Sequence, residues 1–252
     1  MSWANRRRLI IYVIIATVLI IPLSGLLFAV FYHVPSCSDK RQNQEEEGID
    51  CGGTCAYLCT EMQFAPTVLF AKPLPGLSGR TDVVALIENK NSAAAAKDVP
   101  YVLSLYDADG ATAGKATGTI DLPPGASVPV YITGATSGSQ VVSTAFLTID
   151  ASQIRWYSAR DVRRLPEVSN TTLRGTIDAP RIETTLTNST EKVVTDITVI
   201  AIVFNVDGNV IAASRTFVSG IRPGGQATAT FTWNTAFPGT PTAMHIFPQV
   251  SF

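Results

Sequence analysis

Residues 9–32, LIIYVIIATVLIIPLSGLLFAVFY, run without a charged side chain directly behind Arg6-Arg7-Arg8, and no other stretch constrains the architecture as much. Wound as a helix, roughly 24 residues at about 1.5 Å each reach about 36 Å, enough to cross a hydrocarbon core of about 30 Å with some tilt. The three arginines are expected to stay in the cytoplasm, which sends everything after His33 across the membrane. A cleavable signal peptide shares the basic start, but its apolar region is shorter, about 7–15 residues, and Ala29-Val30-Phe31 is a poor cleavage site. Val34-Pro35-Ser36 before Cys37 likewise lacks the small residues of a lipoprotein signal. A retained anchor is therefore expected. Pro22 and Gly25 are compatible with a membrane helix whose freed carbonyls are satisfied locally. Ser24 and Gly25 are small enough for helix pairing, but without a G-x-x-x-G the simpler expectation is a lipid-facing anchor. Residues 1–8 form a short basic cytoplasmic tail, too short for a receptor with its own output domain.

The remainder, about 220 residues, has room for one large or two ordinary domains. The chain carries a net charge of −1 with 15% charged residues, which favours neither nucleic acid nor a strongly acidic substrate as partner. Thr, Val, Ile, Ala, Gly and Pro dominate after the span, and no long stretch has the apolar period of a helix, so the expected class is all-β.

All four cysteines, Cys37, Cys51, Cys55 and Cys59, fall directly after the span. In an oxidising compartment such a cluster predicts two disulfides, with three pairings open. Zinc is the alternative, but C-x13-C-x3-C-x3-C lacks the paired knuckles of structural zinc sites. The segment CSDKRQNQEEEGIDCGGTCAYLC resembles a cysteine motif of secreted and surface proteins, C-x-D-G-x-x-N-x-x-E-x-x-x-D-C-G-G-x-C-x-x-C. Asp39, Asn43, Glu46, Asp50, Cys51, Gly52, Gly53 and Cys55 match, Lys40 replaces the usual Gly, and the last spacing is one residue longer. Asp39, Asn43, Glu46 and Asp50 are also the oxygen ligands a calcium ion would use; the alternative is a solvated acidic loop braced by disulfides.

Beyond Pro66 the chain repeats itself. Ile87-Glu88-Asn89 recurs as Leu186-Thr187-Asn188, Asp98-Val99 as Asp196-Ile197, Leu105 to Gly110 as Val203 to Gly208, and Leu122-Pro123-Pro124-Gly125 as Ile221-Arg222-Pro223-Gly224. Anchors that hold one register throughout define two copies of a domain of about 90 residues. Ile182, Thr184 and Leu186 alternate with Arg181, Glu183 and Thr185, as do Ala227, Ala229, Phe231 and Trp233 with threonines, the pattern of strands buried on one face. Ile197 to Phe204 is apolar at nearly every position, which suits a strand covered on both sides. Short strands with turn residues every 8–12 positions predict two tandem immunoglobulin-like β-sandwiches.

Leu103-Ser104-Leu105-Tyr106-Asp107 resembles the signature of FxLYD-type domains, immunoglobulin-like modules of extracytoplasmic proteins. In the second copy the likeness runs through Asn188, the apolar strand, Asp207-Gly208, Arg215-Thr216-Phe217 and Pro223-Gly224; Leu103 of the first copy stands in place of Phe and Asn205 of the second in place of Asp. The resemblance implies a fold and a compartment and attaches no chemistry. The expected organisation is a tail (1–8), a transmembrane helix (9–32), a cysteine-rich segment (33–63), a first sandwich (64–152), a linker (153–170) and a second sandwich (171–252).

In the linker, Arg155, Trp156, Arg160, Arg163 and Arg164 form a candidate contact for an anionic envelope polymer, phospholipid head groups or a protein partner. The alternative is a solvated connector whose Trp156 and Tyr157 pack at the domain junction. Asn170-Thr171-Thr172 and Asn188-Ser189-Thr190 are formal glycosylation sequons. No catalytic set emerges: His33 lies at the membrane boundary, His245 on a terminal strand, Ser189-x-x-Lys192 in a loop, Asp107 to Gly110 in a turn without the twelfth-position glutamate of a calcium loop, and Gly114-Lys115 without the rest of a phosphate loop. The expected function is a membrane-anchored structural or protein-interaction module of the cell envelope, with no cofactor and no catalysis of its own; a ligand- or glycan-binding accessory subunit is the alternative. Its partners would be the lipid bilayer, through the helix, and an envelope protein.

Overall fold

The computed structural model describes residues 3–32, 36–43, 45–76, 79–136, 141–158 and 165–250. The chain forms two compact units, Met1–Cys55 and Ala56–Phe252.

In the first unit, α1 (Trp3–Phe31) is one continuous helix that passes through Pro22 and includes the three arginines. Its stretch Asn5–Phe31, with mean hydropathy 2.7, is long and apolar enough to cross a membrane. Hydroxyls inside it are satisfied by the helix itself: Thr17 Oγ1 donates to Val13 O at 2.8 Å and Ser24 Oγ to Ile21 O at 2.9 Å. Such self-pairing is what a helix crossing a hydrocarbon core would need.

The second unit is built of antiparallel strands in two sets with the same connectivity. The first comprises β1 (Thr67–Pro75), β2 (Thr81–Glu88), β3 (Ala94–Tyr106), β4 (Thr112–Leu122), β5 (Ser127–Ile132), β6 (Thr144–Ile149) and β7 (Trp156–Ser158). The second comprises β8 (Glu167–Thr176), β9 (Ala179–Thr187), β10 (Val194–Asn205), β11 (Val210–Ile221), β12 (Gln226–Thr232) and β13 (Pro241–Gln249). Sheets β1-β2-β5 and β4-β3-β6 face each other in the first copy, β8-β9-β12 and β11-β10-β13 in the second. The duplicated anchors thus fall on equivalent strands and turns. The stretch 153–170 is shorter as a connector than expected, because β7 pairs with the start of β3 and β8 begins at Glu167.

The turns explain why Asp and Asn interchange between copies. Asp107 Oδ1 accepts from the N–H groups of Asp109 and Ala111, and Asn205 Oδ1 accepts in the same way from Asp207 and Asn209. Only a side-chain oxygen is needed to close such a turn. The glycine that follows, Gly110 or Gly208, sits at φ +80° or +75°, in the left-handed region.

Asn89 and Asn188 play the equivalent part inside each sandwich, where both are 1% exposed. Asn89 Nδ2 donates to Ala94 O and Pro123 O, tying the β2–β3 loop to the β4–β5 loop, and its Oδ1 accepts from Asn91 N–H. Asn188 Nδ2 donates to Lys192 O, Ile221 O and Arg222 O, and its Oδ1 accepts from Thr190 N–H. A buried amide so placed satisfies carbonyls at the strand ends and in the loops between them.

Each sandwich has its own core: Ile87, Leu103, Leu105 and Trp156 in the first, Ile182, Ile197, Val203 and Phe231 in the second. A third apolar layer joins them. Leu74 and Val84 on the outer face of β1-β2-β5 meet Ile200, Ile202, Val210 and Ala213 on the outer face of β11-β10-β13, flanked by Phe70, Tyr131, Phe204 and Phe247. Phe70 and Phe204 pack edge to face at 6.2 Å, and Gln249 Nε2 donates across the seam to Pro129 O at 2.7 Å. β10 is therefore buried on both faces, as its unbroken apolar run requires, and four sheets stack with apolar layers between them.

Two substitutions test this arrangement. Asn188→Ala leaves three carbonyls without their donor and is expected to cost about 3 kcal/mol, read by chemical denaturation; a change below about 0.5 kcal/mol would mean that the carbonyls find other donors. Ile202→Asp puts a charge into the seam without entering either sandwich core, so calorimetry should resolve two transitions where the parent protein shows one.

Candidate functional site

The cysteine segment is a loop closed by side chains. Cys37 and Cys55 are bridged, and Cys51 and Cys59 are also in disulfide linkage, so no cysteine is free. Of the three pairings, only the one containing Cys37–Cys55 accommodates that bridge. Asp50 accepts the Lys40 N–H with both carboxylate oxygens, at 2.9 and 3.1 Å. Asp39 accepts from Arg41 N–H and from Asn43 Nδ2. Glu46, 8% exposed, accepts Asn43 N–H on one oxygen, while the other lies 3.2 Å from Cys55 Sγ. Desolvation works against the ionised Asp39, but the hydrogen bonds from Asn43, Arg41 and Ser36 outweigh it and hold its carboxyl below the usual range. Gly53, at φ +57°, admits no side chain, because a Cβ there would lie 1.7 Å from Glu45 O.

This geometry bears on the calcium ligands expected from sequence. Asp39, Asn43, Glu46 and Asp50 are all acceptors or donors within the loop, each holding a backbone or amide group in place. Asn43 Oδ1 is buried without a hydrogen-bond partner among the described residues. The group of metal-ligating types that does lie together, Cys37, Glu46 and Cys55 within 4.8 Å, has both sulfurs in the disulfide and cannot offer thiolates.

Of the arginine-rich stretch, Trp156 is not the partner contact expected of it. It is 1% exposed and is among the largest fully buried side chains of the first core, because β7 lays it against that core. Arg155 remains exposed, its guanidinium 5.6 Å from the centre of the Tyr57 ring. Arg160, Arg163 and Arg164 lie outside the described residues. The Asn188 sequon is closed to modification by burial, whereas Asn170 is exposed at a bulge in β8. Ser189 Oγ donates to Glu167 at 2.5 Å, so it has no arrangement with Lys192 that would activate it. His245 is exposed on β13, its ring 5.0 Å from that of Phe204; His33 lies outside the described residues.

Two concavities that sequence inspection missed open along the seam between the sandwiches. The smaller, about 390 Å³, is bordered by Asp98, Asp121, Asp196, Tyr101 and Gln249. Asp98 and Asp196 occupy equivalent strand positions at φ +51° and +58°, and Asp121 accepts the Asp98 N–H at 2.9 Å. The larger, about 830 Å³, is bordered by Arg80, Asp82 and Tyr131 of the first copy and Arg215, Trp233 and Phe237 of the second. Asp82 is held by Tyr131 O–H at 2.8 Å and Gly134 N–H at 2.7 Å. Nothing in the sequence marks these clefts, since each is assembled from positions more than a hundred residues apart.

No protein-family model matches the chain, and no curated protein sequence does. Among solved structures it is similar to a red sea bream transglutaminase, at 11% identity over 76% of this chain and 31% of that one, with a TM-score of 0.24. A β-glucuronidase from glycoside hydrolase family 2 is similar at 11% identity over 88% of this chain and 29% of that one, with the same TM-score. The chain spans about a third of the length of these enzymes, and at such scores the likeness carries no argument about activity.

Two measurements follow from the site. Peptide mapping without reduction should recover Cys37 linked to Cys55 and no alkylatable thiol; a different linkage or a free thiol would refute the loop described. Burial, with the Asp82 carboxylate beside it, raises the Tyr131 phenol despite the opposing pull of Arg215, and burial with Asp121 and Asp98 nearby pushes Tyr157 up to about 12. Folded values above an unfolded value of about 10 mean that this stability is full below pH ~10 and is lost as pH rises through the folded values. Ultraviolet titration should therefore show Tyr131 and Tyr157 among the last of the seven tyrosines to ionise, and Tyr131→Phe should flatten the alkaline loss. A single ionisation step shared by all seven would contradict the burial.

Proposed function

We propose that this protein is a single-pass, membrane-anchored module of the cell envelope that works by binding and positioning, with its two immunoglobulin-like sandwiches on the extracytoplasmic side. The observation that carries it is the apolar seam, which fuses two copies of one domain into a single stiff body in a chain that also has a helix fit to cross a membrane. A stiff body presents loops and clefts at fixed separations, which suits contact with a partner better than a flexible tether would. Support for a non-catalytic role comes from the buried polar side chains. Asn89, Asn91 and Asn188 bond to backbone groups within the fold, and the acidic side chains of the cysteine loop close that loop. Chemistry at neutral pH needs an acid, base or nucleophile with a second group oriented to it. The oxidised cysteines and the Arg6-Arg7-Arg8 cluster support the orientation, since disulfides persist outside the cytoplasm and basic residues are retained inside it.

Protease added from outside to cells with permeabilised outer layers should digest the sandwiches; their full protection until cytoplasmic lysis would overturn the orientation. Crosslinking in native membranes, with mass spectrometry of the captured proteins, should recover a partner joined through the second unit. A hydrolytic or transfer activity of the purified protein, abolished by one point substitution, would overturn the non-catalytic assignment.

A further inference from the structure

The larger cleft on the seam has features that the fold does not require. Arg80 and Arg215 both border it, both are exposed, and among the described residues neither makes an ion pair. Between them run Tyr131 and Asp82, whose carboxylate is already occupied by the Tyr131 hydroxyl and the Gly134 N–H. Arg80 lies close over Gly134, within 3.5 Å of where a Cβ would stand, and Arg215 is near enough to Tyr131 to act on its phenol electrostatically. Aromatic side chains also line the cleft. Trp233 and Phe237 pack edge to face at 5.0 Å, and the Trp233 N–H donates to Ala213 O at 3.3 Å, which fixes the ring while leaving it half-buried at the cleft.

The internal duplication serves as a control for which of these residues the sandwich needs. By the alignment of the two copies, Arg80 corresponds to Ala179 and Arg215 to Thr117, and the place of Trp233 is taken by Gly134-Ala135, Ala135 making the equivalent backbone bond. The same strands and turns therefore form without either guanidinium or the indole. Their convergence at one end of the seam is a property of the pair of copies and of neither copy alone.

We propose that this cleft binds an acidic saccharide, with Arg80 and Arg215 taking its carboxylates and Trp233 taking the apolar face of one sugar ring. Guanidinium forks match planar carboxylates in geometry and charge. A fixed, half-exposed indole offers a flat apolar surface at little entropic cost, which suits the C–H face of a pyranose. The volume, about 830 Å³, is that of a small-ligand site and has room for a few sugar units. The proposal goes beyond the positioning role above and does not depend on it, since a module of either orientation or partner would keep this cleft.

The test uses the full chain in detergent micelles, labelled with 5-fluorotryptophan so that Trp3, Trp156 and Trp233 give separate fluorine resonances, assigned by Trp233→Phe. Titration with trigalacturonate should shift the Trp233 signal saturably and leave the core Trp156 signal in place. Maltotriose, which has the rings without the carboxylates, should bind at least about tenfold more weakly, as should trigalacturonate to Arg80→Gln or Arg215→Gln, the loss expected for one charge-assisted hydrogen bond. The double variant should not bind, while Arg222→Gln, an exposed arginine elsewhere on the second copy, should bind as the parent does. An unmoved Trp156 signal in the double variant verifies that it is folded. The proposal is overturned by the absence of a saturable Trp233 shift, by equal affinity for maltotriose, by parent-like binding in the double variant, or by inorganic sulfate alone reproducing the shift at the same affinity, which would reduce the cleft to a simple anion site.

Discussion

The contact of Val84 and Leu74 with Ile200 and Ile202 is the interaction on which the rest of the second unit depends. Each of these side chains points out of its own sandwich, so neither copy alone gives it shelter. Burying an aliphatic side chain is worth about 1.5–3 kcal/mol, and several such residues together outweigh what a polar connector could contribute. The seam also decides which surfaces exist. Both concavities lie along it, and their walls are held at fixed distance because the layer beneath them is packed. Had the copies been joined only through residues 159–164, neither cleft would have a defined shape.

Much of this was legible from residues alone. The helix, the all-β class and the duplicated turns follow from unbroken hydropathy, period-two alternation and Asp-Gly or Pro-Gly spacing. The seam was half legible. The run Ile197 to Phe204 announces a strand covered on both faces, but a linear sequence does not say what covers the second face. The answer lay in comparing the copies at matched pleat positions. Ser104 of the first copy corresponds to Ile202 of the second, and Val84 of the first corresponds to Glu183 of the second. The apolar member of each pair marks the face that is covered. Of the two expectations for Trp156, contact with a partner or packing inside the fold, its burial in the first core decides for packing, as the apolar area of an indole favours. The clefts were invisible for a plainer reason: their residues meet only after two domains have folded and docked.

The cysteine loop shows how one departure from a motif is absorbed. Lys40 stands where the motif it resembles has glycine, and its φ of +60° is a conformation that costs an L-residue roughly 1–2 kcal/mol. Asp50 takes the Lys40 N–H with both oxygens, a charge-assisted bond that offsets part of that cost. The acidic residues that invite a metal from their spacing thus have a structural use that spacing cannot reveal. Gly53 has no such latitude, because the carbonyl of Glu45 occupies the place where any side chain would begin.

The two copies join unlike faces: the β1-β2-β5 side of the first meets the β11-β10-β13 side of the second, which corresponds to β4-β3-β6. A head-to-tail contact of this kind does not close on itself, and repeated between molecules it would grow into a filament. On the second copy such growth would meet charge. The surface that a third copy would need on β9 carries Arg181, Glu183 and Thr185, with Arg174 and Arg181 both paired to Glu183, whereas the surface that it would need on β3 carries Ser104 beside the exposed Phe146. The duplication thus ends, on its second copy, in a face whose charges are paired with one another and which offers no apolar layer for a further sheet.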